Sequence, residues 1–163
     1  MNNTYKIEYN IDEEYFYTND INKFKKEKNK EKITRLKINN IKENFELPDG
    51  LNNLRELIIF HSNSIKIIPK YKNLIKLQIN DCNNIMEIPD LENLRILKIS
   101  FCNNLYKLSE KLYNLVYLSI LNTSIINIPK TYKKIEKIDI DYNININDLP
   151  EEYYKAAISR DYI

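Results

Sequence analysis

The strongest constraint on this chain is a frame of apolar residues that it uses six times. In the stretch from Leu74 to Asn93, LIKLQINDCNNIMEIPDLEN, the frame reads LxxLxIxxCxxIxxIP. With edits it also starts at Ile33, Leu54, Leu94, Leu115 and Ile135, at intervals of 20 or 21 residues. Self-similarity at such a period is the mark of a solenoid. The fourth and sixth positions of each unit are apolar: Leu36 and Ile38, Leu57 and Ile59, Leu77 and Ile79, Leu97 and Ile99, Leu118 and Ile120, Ile138 and Ile140. In a strand these two side chains point the same way and the residues between them point the other way. One short strand cannot bury its apolar side alone. A second unit stacked about 4.8 Å away closes both the hydrogen bonds and the core. The expectation is a parallel sheet with one strand per repeat.

The return half of each unit is patterned too. An apolar residue precedes proline in Leu47-Pro48, Ile68-Pro69, Ile88-Pro89, Ile128-Pro129 and Leu149-Pro150, while Leu108-Ser109 departs from the pattern. Proline fixes its own backbone and removes a donor, which suits an extended or turn segment. Two or three residues later a large side chain recurs, at Leu51, Tyr71, Leu91, Leu112, Tyr132 and Tyr153, placed to close the core from that side. Asn53, Asn73, Asn93 and Asn114 each stand just before a leading leucine, where a turn or a bridging hydrogen bond is expected.

At 163 residues the chain suits one domain with a continuous core. Its 25 basic and 23 acidic residues leave a net charge of +2, so no global field selects nucleic acid or an anionic membrane. No apolar run is long enough to span a bilayer, and MNNTYKIEYN is too polar for a secretory signal. Intracellular residence is the expectation. Two cysteines are too few for a disulfide framework. Cys82 and Cys102 share the ninth position of consecutive repeats, which allows either two reduced inward thiols or a bridge near the lower edge of disulfide reach.

Residues 1–32 lack the frame. Tyr5, Ile7, Tyr9 and Ile11 alternate as in a half-buried strand, Asp12-Glu13-Glu14 breaks the run, and Tyr15-Phe16-Tyr17 suggests a second strand of a hairpin. This segment is expected to cap the N-terminal end of the solenoid. From Ile21 the chain carries Lys23, Lys25, Lys26, Lys28, Lys30 and Lys32, interleaved with Glu27 and Glu31, which reads as a solvated helix or loop or as a phosphate-binding arm. The first repeat is irregular, with Ile41 at the ninth position and Phe45 as a substitute inward residue. After the sixth, Asp148 with Glu151 resembles a capping box, and Tyr154, Ala157 and Ile158 predict a short closing helix over 151–163. The chain is expected to be complete at that cap.

From Ile33 through Pro150, about three-quarters of the chain, these repeats resemble those of leucine-rich repeat proteins. CNNIMEIPDLENL is similar to the short repeats of plant immune receptors and secreted bacterial effectors. The excess of Asn, Ile, Lys and Tyr is more like repeat proteins of giant viruses or social amoebae, and the viral resemblance implies a cytoplasmic place in an infected host cell. The resemblance implies an α/β right-handed solenoid: a curved parallel β-sheet on the concave face, and short extended or 3-10 segments on the convex one. It also implies a module that binds another protein through the concave sheet, as a recognition or adaptor subunit. It implies no catalytic activity and no cofactor.

The core does not need apolar residues at the outward strand positions. Ile58, Phe60, Ile96, Phe101, Tyr117 and Leu121 are therefore the candidate partner-binding residues, with His61 beside them. His61 and Asp81 share a column on adjacent strands, but catalysis would also need a nucleophile, and Ser62 of the nearby serines occupies an inward position. One His and two inward Cys fall short of a zinc site, and a single glycine cannot make a glycine-rich phosphate loop. The reading is a non-catalytic, monomeric interaction module with no metal. The alternative is a structural or packaging role in which the lysine-rich segment before the first repeat touches nucleic acid or an assembly surface.

Overall fold

The computed structural model describes residues 6–141, residue 144 and the backbone of 157–161. Six strands follow the repeat frame: β3 (Ile33–Asn39), β4 (Glu56–Phe60), β5 (Lys76–Asn80), β7 (Ile96–Cys102), β9 (Tyr117–Thr123) and β10 (Lys137–Asp141). Each pairs in parallel with the next. The register aligns like positions of the frame, so that Leu57 lies opposite Leu36 and Leu77, and Leu97 opposite Leu77 and Leu118. The molecule is a mostly-strand solenoid. Among the described residues, helix is confined to α1 (Ile21–Lys25) and a 3-10 turn at Lys30–Lys32, both before the first repeat.

The leading leucines sit in turns rather than in the strands themselves. Leu54, Leu74, Leu94 and Leu115 are fully buried, and their N–H groups bond back to Leu51, Tyr71, Leu91 and Leu112. Those last four are the large residues of the return half, and with Tyr132 they close the core from behind. Tyr71 and Tyr132 keep their rings inside because each hydroxyl donates to a carbonyl of the preceding coil, Pro48 at 2.9 Å and Ser109 at 2.6 Å. The return segments are extended, and two of them, β6 (Glu87–Ile88) and β8 (Lys107–Leu108), pair as a separate parallel sheet. Ser109 replaces proline for a visible reason. Its N–H donates to Ile88 O, and its hydroxyl donates to Asp90 at 2.6 Å, two roles closed to proline. That hydroxyl, with Lys70 and Lys111, holds the half-buried Asp90 carboxyl well below the usual carboxylate range.

Two side-chain ladders tie coil to coil. The amide of Asn73 donates to Asn52 O at 2.6 Å, that of Asn93 to Lys72 O at 2.8 Å, and that of Asn114 to Glu92 O at 2.8 Å; Asn53 reaches Glu31 O in the same way. The bridging role expected of these entry residues is thus directed to the preceding coil. Replacing Asn93 with Ala should cost about 1 kcal/mol, read as a lower urea midpoint at unchanged slope. The second ladder runs through the ninth position. Ile41 N–H donates to the Ser62 hydroxyl of the next coil at 3.1 Å, and the inward thiols of Cys82 and Cys102 stack behind it, each donating to the carbonyl two residues before it, Asn80 and Ser100, at 3.3 Å. Both cysteines are free and buried, which closes the disulfide alternative.

At the N-terminal end, β1 (Ile7–Ile11) and β2 (Glu14–Thr18) form an antiparallel hairpin. Its turn residues, Asp12 and Glu13, both have positive φ, 48° and 72°, as a type I′ hairpin turn requires. β1 also pairs antiparallel with β3 and so covers the first repeat's edge. Beneath it Phe24 of α1 packs with Tyr9 and Phe45. The Asp20 carboxylate caps α1 by accepting from the N–H groups of Asn22 and Lys23.

The other end departs from expectation. Ala157–Asp161 forms β11, parallel to β10, where a helix was expected from Ala157 and Ile158. The edge of β10 presents a row of unpaired backbone groups, and a strand satisfies them. A helix this short is not stable by itself. Ile158 falls opposite Ile138 and so keeps the frame's fourth position. The expected capping box at Asp148 and Glu151, and Tyr5, Tyr142, Leu149-Pro150, Tyr153 and Tyr154, lie outside the described residues.

Candidate functional site

The fourth and sixth side chains fill the core, so the third, fifth, seventh and eighth positions make up the open face of the sheet. The third column begins with an ion-pair ladder. Arg35 meets Glu56 at 3.1 Å, and Lys76 meets the same carboxylate at 2.6 Å. Further along, the Tyr117 ring is flanked by the ammonium groups of Lys98 and Lys137, each 4.8 Å from its centroid, and its hydroxyl donates to Asp139. Each such cation–aromatic contact is worth about 0.5–1 kcal/mol at an exposed site. Tyr117 therefore stands in a fixed orientation on this face.

The eighth position has a backbone property that the sequence did not announce. Asn40, His61, Asp81, Phe101 and Asn122 all have φ between 48° and 54°, in the left-handed region. The turn this creates sends the N–H groups of Asn40, His61 and Asp81 to the seventh-position carbonyl of the following coil, each at 3.0 Å, and that of Asn122 to the Asp141 carboxylate. Asn, Asp and His tolerate this region better than other side chains do; a bulky residue there is an outlier. Phe101 is that outlier, and the residue is 54% exposed.

The other candidates are distributed unevenly. Phe60, Ile96 and Leu121 are half-buried on the open face, and His61 is exposed. Ile58 is a correction: it is only 6% exposed. It lies between Lys37 and Gln78 in register and between Glu56 and Phe60 along its strand, and these longer side chains cover it. His61 Nδ1 is 2.9 Å from Asp81 Oδ2, so the pair anticipated across adjacent strands is formed. Neither nearby serine faces it. The Ser62 hydroxyl donates to Phe60 O at 2.7 Å, and that of Ser64 donates to Ile41 O at 3.0 Å. No group of three or more His, Cys, Asp or Glu among the described residues could hold a metal ion.

One exposed apolar run escaped the sequence reading. Ile67, Met86, Tyr106 and Ile126 lie on the return side of four consecutive coils, and Ile67 is 75% exposed. The signal was present, since Met86, Tyr106 and Ile126 each follow an inward Ile85, Leu105 or Ile125, where other units of the frame carry polar residues. No helix among the described residues is long and apolar enough to cross a membrane. Comparison with family models, with curated proteins and with solved structures finds no match to this chain.

Proposed function

We propose that the chain is a leucine-rich repeat module that binds another protein through the open, concave face of its sheet, as a recognition or adaptor subunit without catalytic activity. The observation that carries this reading is Phe101. A large aromatic residue is held in a backbone conformation that disfavours it, in a column where the four other described coils use Asn, His or Asp, and more than half of its surface stays in water. Such a residue is understandable as a contact anchor, since buried aromatics dominate binding energy at protein interfaces. Ile96 lies on the same strand, and Leu121 and the fixed ring of Tyr117 lie on the next strand of the same face.

The reading has a test with two readouts of opposite sign. Phe101→Asn should stabilise the free protein by on the order of 1 kcal/mol, because Asn accepts the left-handed backbone. The same substitution should weaken a partner recovered from the native host by about tenfold or more. The pair Phe101→Ala and Tyr117→Ala should do the same to affinity. Unchanged affinity in both variants would move the contact surface elsewhere.

The packaging alternative needs the lysine-rich segment to be available for phosphates. Several of its lysines are already engaged: Lys30 donates to Lys25 O, Lys32 pairs with Asp12 at 2.8 Å, and Lys25 lies over the Phe45 ring. Salt-sensitive retention on nucleic acid would favour that alternative, whereas a salt-tolerant protein complex favours the first.

A further inference from the structure

We propose that the rim of the sheet where the strands begin holds an oxyanion site of the phosphate class, built from Arg55 and Arg95. These residues occupy the second position of alternate repeats, with Ile75 between them. Together with Asn53, Asn73 and Asn93 they line a shallow groove of about 430 Å³. The backbone fixes their separation. Ile75 N–H donates to Arg55 O and Arg95 N–H donates to Ile75 O, both at 2.8 Å. Two strand spacings put the two α-carbons about 10 Å apart, a gap that two extended arginine side chains can close over one ligand.

The charge at this place is unspent. Arg35, Lys70, Lys76, Lys107 and Lys111 each have a carboxylate partner on the surface. Arg55 and Arg95 have none among the described residues, and both are exposed. The adjoining depression, which Arg55 also lines, contains Asp12 and Glu13. Asp12 is paired with Lys32, and Glu13 makes no ion pair with the guanidinium. Residue type matters as well. Only four of the 25 basic residues are arginine, and two of them recur at one frame position in a chain that otherwise uses lysine. The guanidinium fork binds oxyanions through two parallel hydrogen bonds, which an ammonium cannot do.

The stoichiometry of donors selects phosphate over a carboxylate. Two forks offer four N–H groups, and the Asn53, Asn73 and Asn93 amides each commit one N–H to a backbone carbonyl and keep the other. A carboxylate has two oxygens and one charge. A phosphate or phosphoryl group has three or more oxygens and close to two charges, which matches the pair of guanidiniums. The half-exposed Ile75 side chain lies between the two arginines and lines the groove with them.

The test titrates the full chain with inorganic phosphate, acetate and a short phosphoserine peptide, read by amide chemical-shift changes at low ionic strength. Phosphate is expected to saturate, with shifts centred on Arg55, Ile75 and Arg95 and with acetate at least tenfold weaker. Arg55→Gln or Arg95→Gln should weaken phosphate about tenfold, and the double variant should abolish it. Both side chains are exposed, so thermal midpoints should not change. Arg55→Lys with Arg95→Lys keeps the charge and removes the forks; loss of binding supports the built site, and full retention overturns it in favour of a diffuse positive field. A peptide that binds more tightly than inorganic phosphate marks the natural ligand as a carried phosphoryl group, and equal binding marks the free ion. Non-saturating shifts, or acetate as strong as phosphate, overturn the proposal.

Discussion

Leu97→Asp is expected to abolish cooperative folding. Leu97 is fully buried in β7, between Leu77 and Leu118 of the flanking coils. Truncation of such a leucine alone costs about 2–5 kcal/mol. An aspartate adds the cost of a carboxylate with no cation in reach, and together these approach the roughly 5–15 kcal/mol by which domains are stable. Leu97→Met is the control, because a volume-conserving exchange usually costs less than about 1.5 kcal/mol. The readouts are soluble yield and a urea transition. A normal transition for the aspartate variant would mean that the side chain does not face the core, and the register of every coil would then be in error, since all share the same frame positions.

The second large effect is alkaline. Burial, more than any nearby charge, pushes the Cys82 thiol from 9.0 up to about 12, and it raises Cys102 and Tyr71 as well. Tyr9 is pushed up to about 12 by burial and by its hydrogen bond to Glu27. All four groups are neutral when protonated, so the folded state holds protons that the unfolded state releases from about pH 9 upward. Their contribution to stability is therefore complete below pH 9 and is lost as pH rises from there through the folded values near 12. The urea midpoint should hold steady up to about pH 9 and fall above it, and Cys82→Ala should flatten part of that fall. Thiol chemistry reports the same burial. Both thiols are buried and their pKa values are raised by that burial, so iodoacetamide at pH 8 should leave native protein unlabelled while the urea-unfolded chain takes two labels. Rapid labelling of native protein would show that the ninth-position ladder opens to solvent.

The parts of this structure that could be read in advance are those in which one residue type does one job at one spacing. Leu and Ile at the fourth and sixth positions must face inward, and identical spacing forces identical neighbours, so strand order and register followed from the repeat. The asparagine ladder was half legible: the residue suggested a hydrogen bond, but its acceptor on the previous coil depends on how the coils stack. Three features were hidden for definable reasons. β11 carries Arg160 where other strands have an apolar sixth residue, so the apolar frame stops before the sheet does. The left-handed turn at the eighth position is usually signalled by glycine, and this chain uses Asn, His, Asp and Phe instead. The burial of Ile58 arises from long side chains on adjacent strands, which a count along one strand does not register. Of the open-face candidates, Phe101 gained most from the structure, because its exposure and its backbone angle together separate it from ordinary surface aromatics.

The unbroken alignment of equivalent residues from β3 to β10 has a consequence for how such a molecule can change. Removing or copying one whole turn of the coil would leave each remaining side chain aimed as before, because its new neighbour would present the same residue class at the same height. A slip of a single residue would turn the apolar set outward. Variation in length is thereby quantised, and the columns of the exposed sheet behave as rows of a keyboard that can gain or lose keys without retuning the rest.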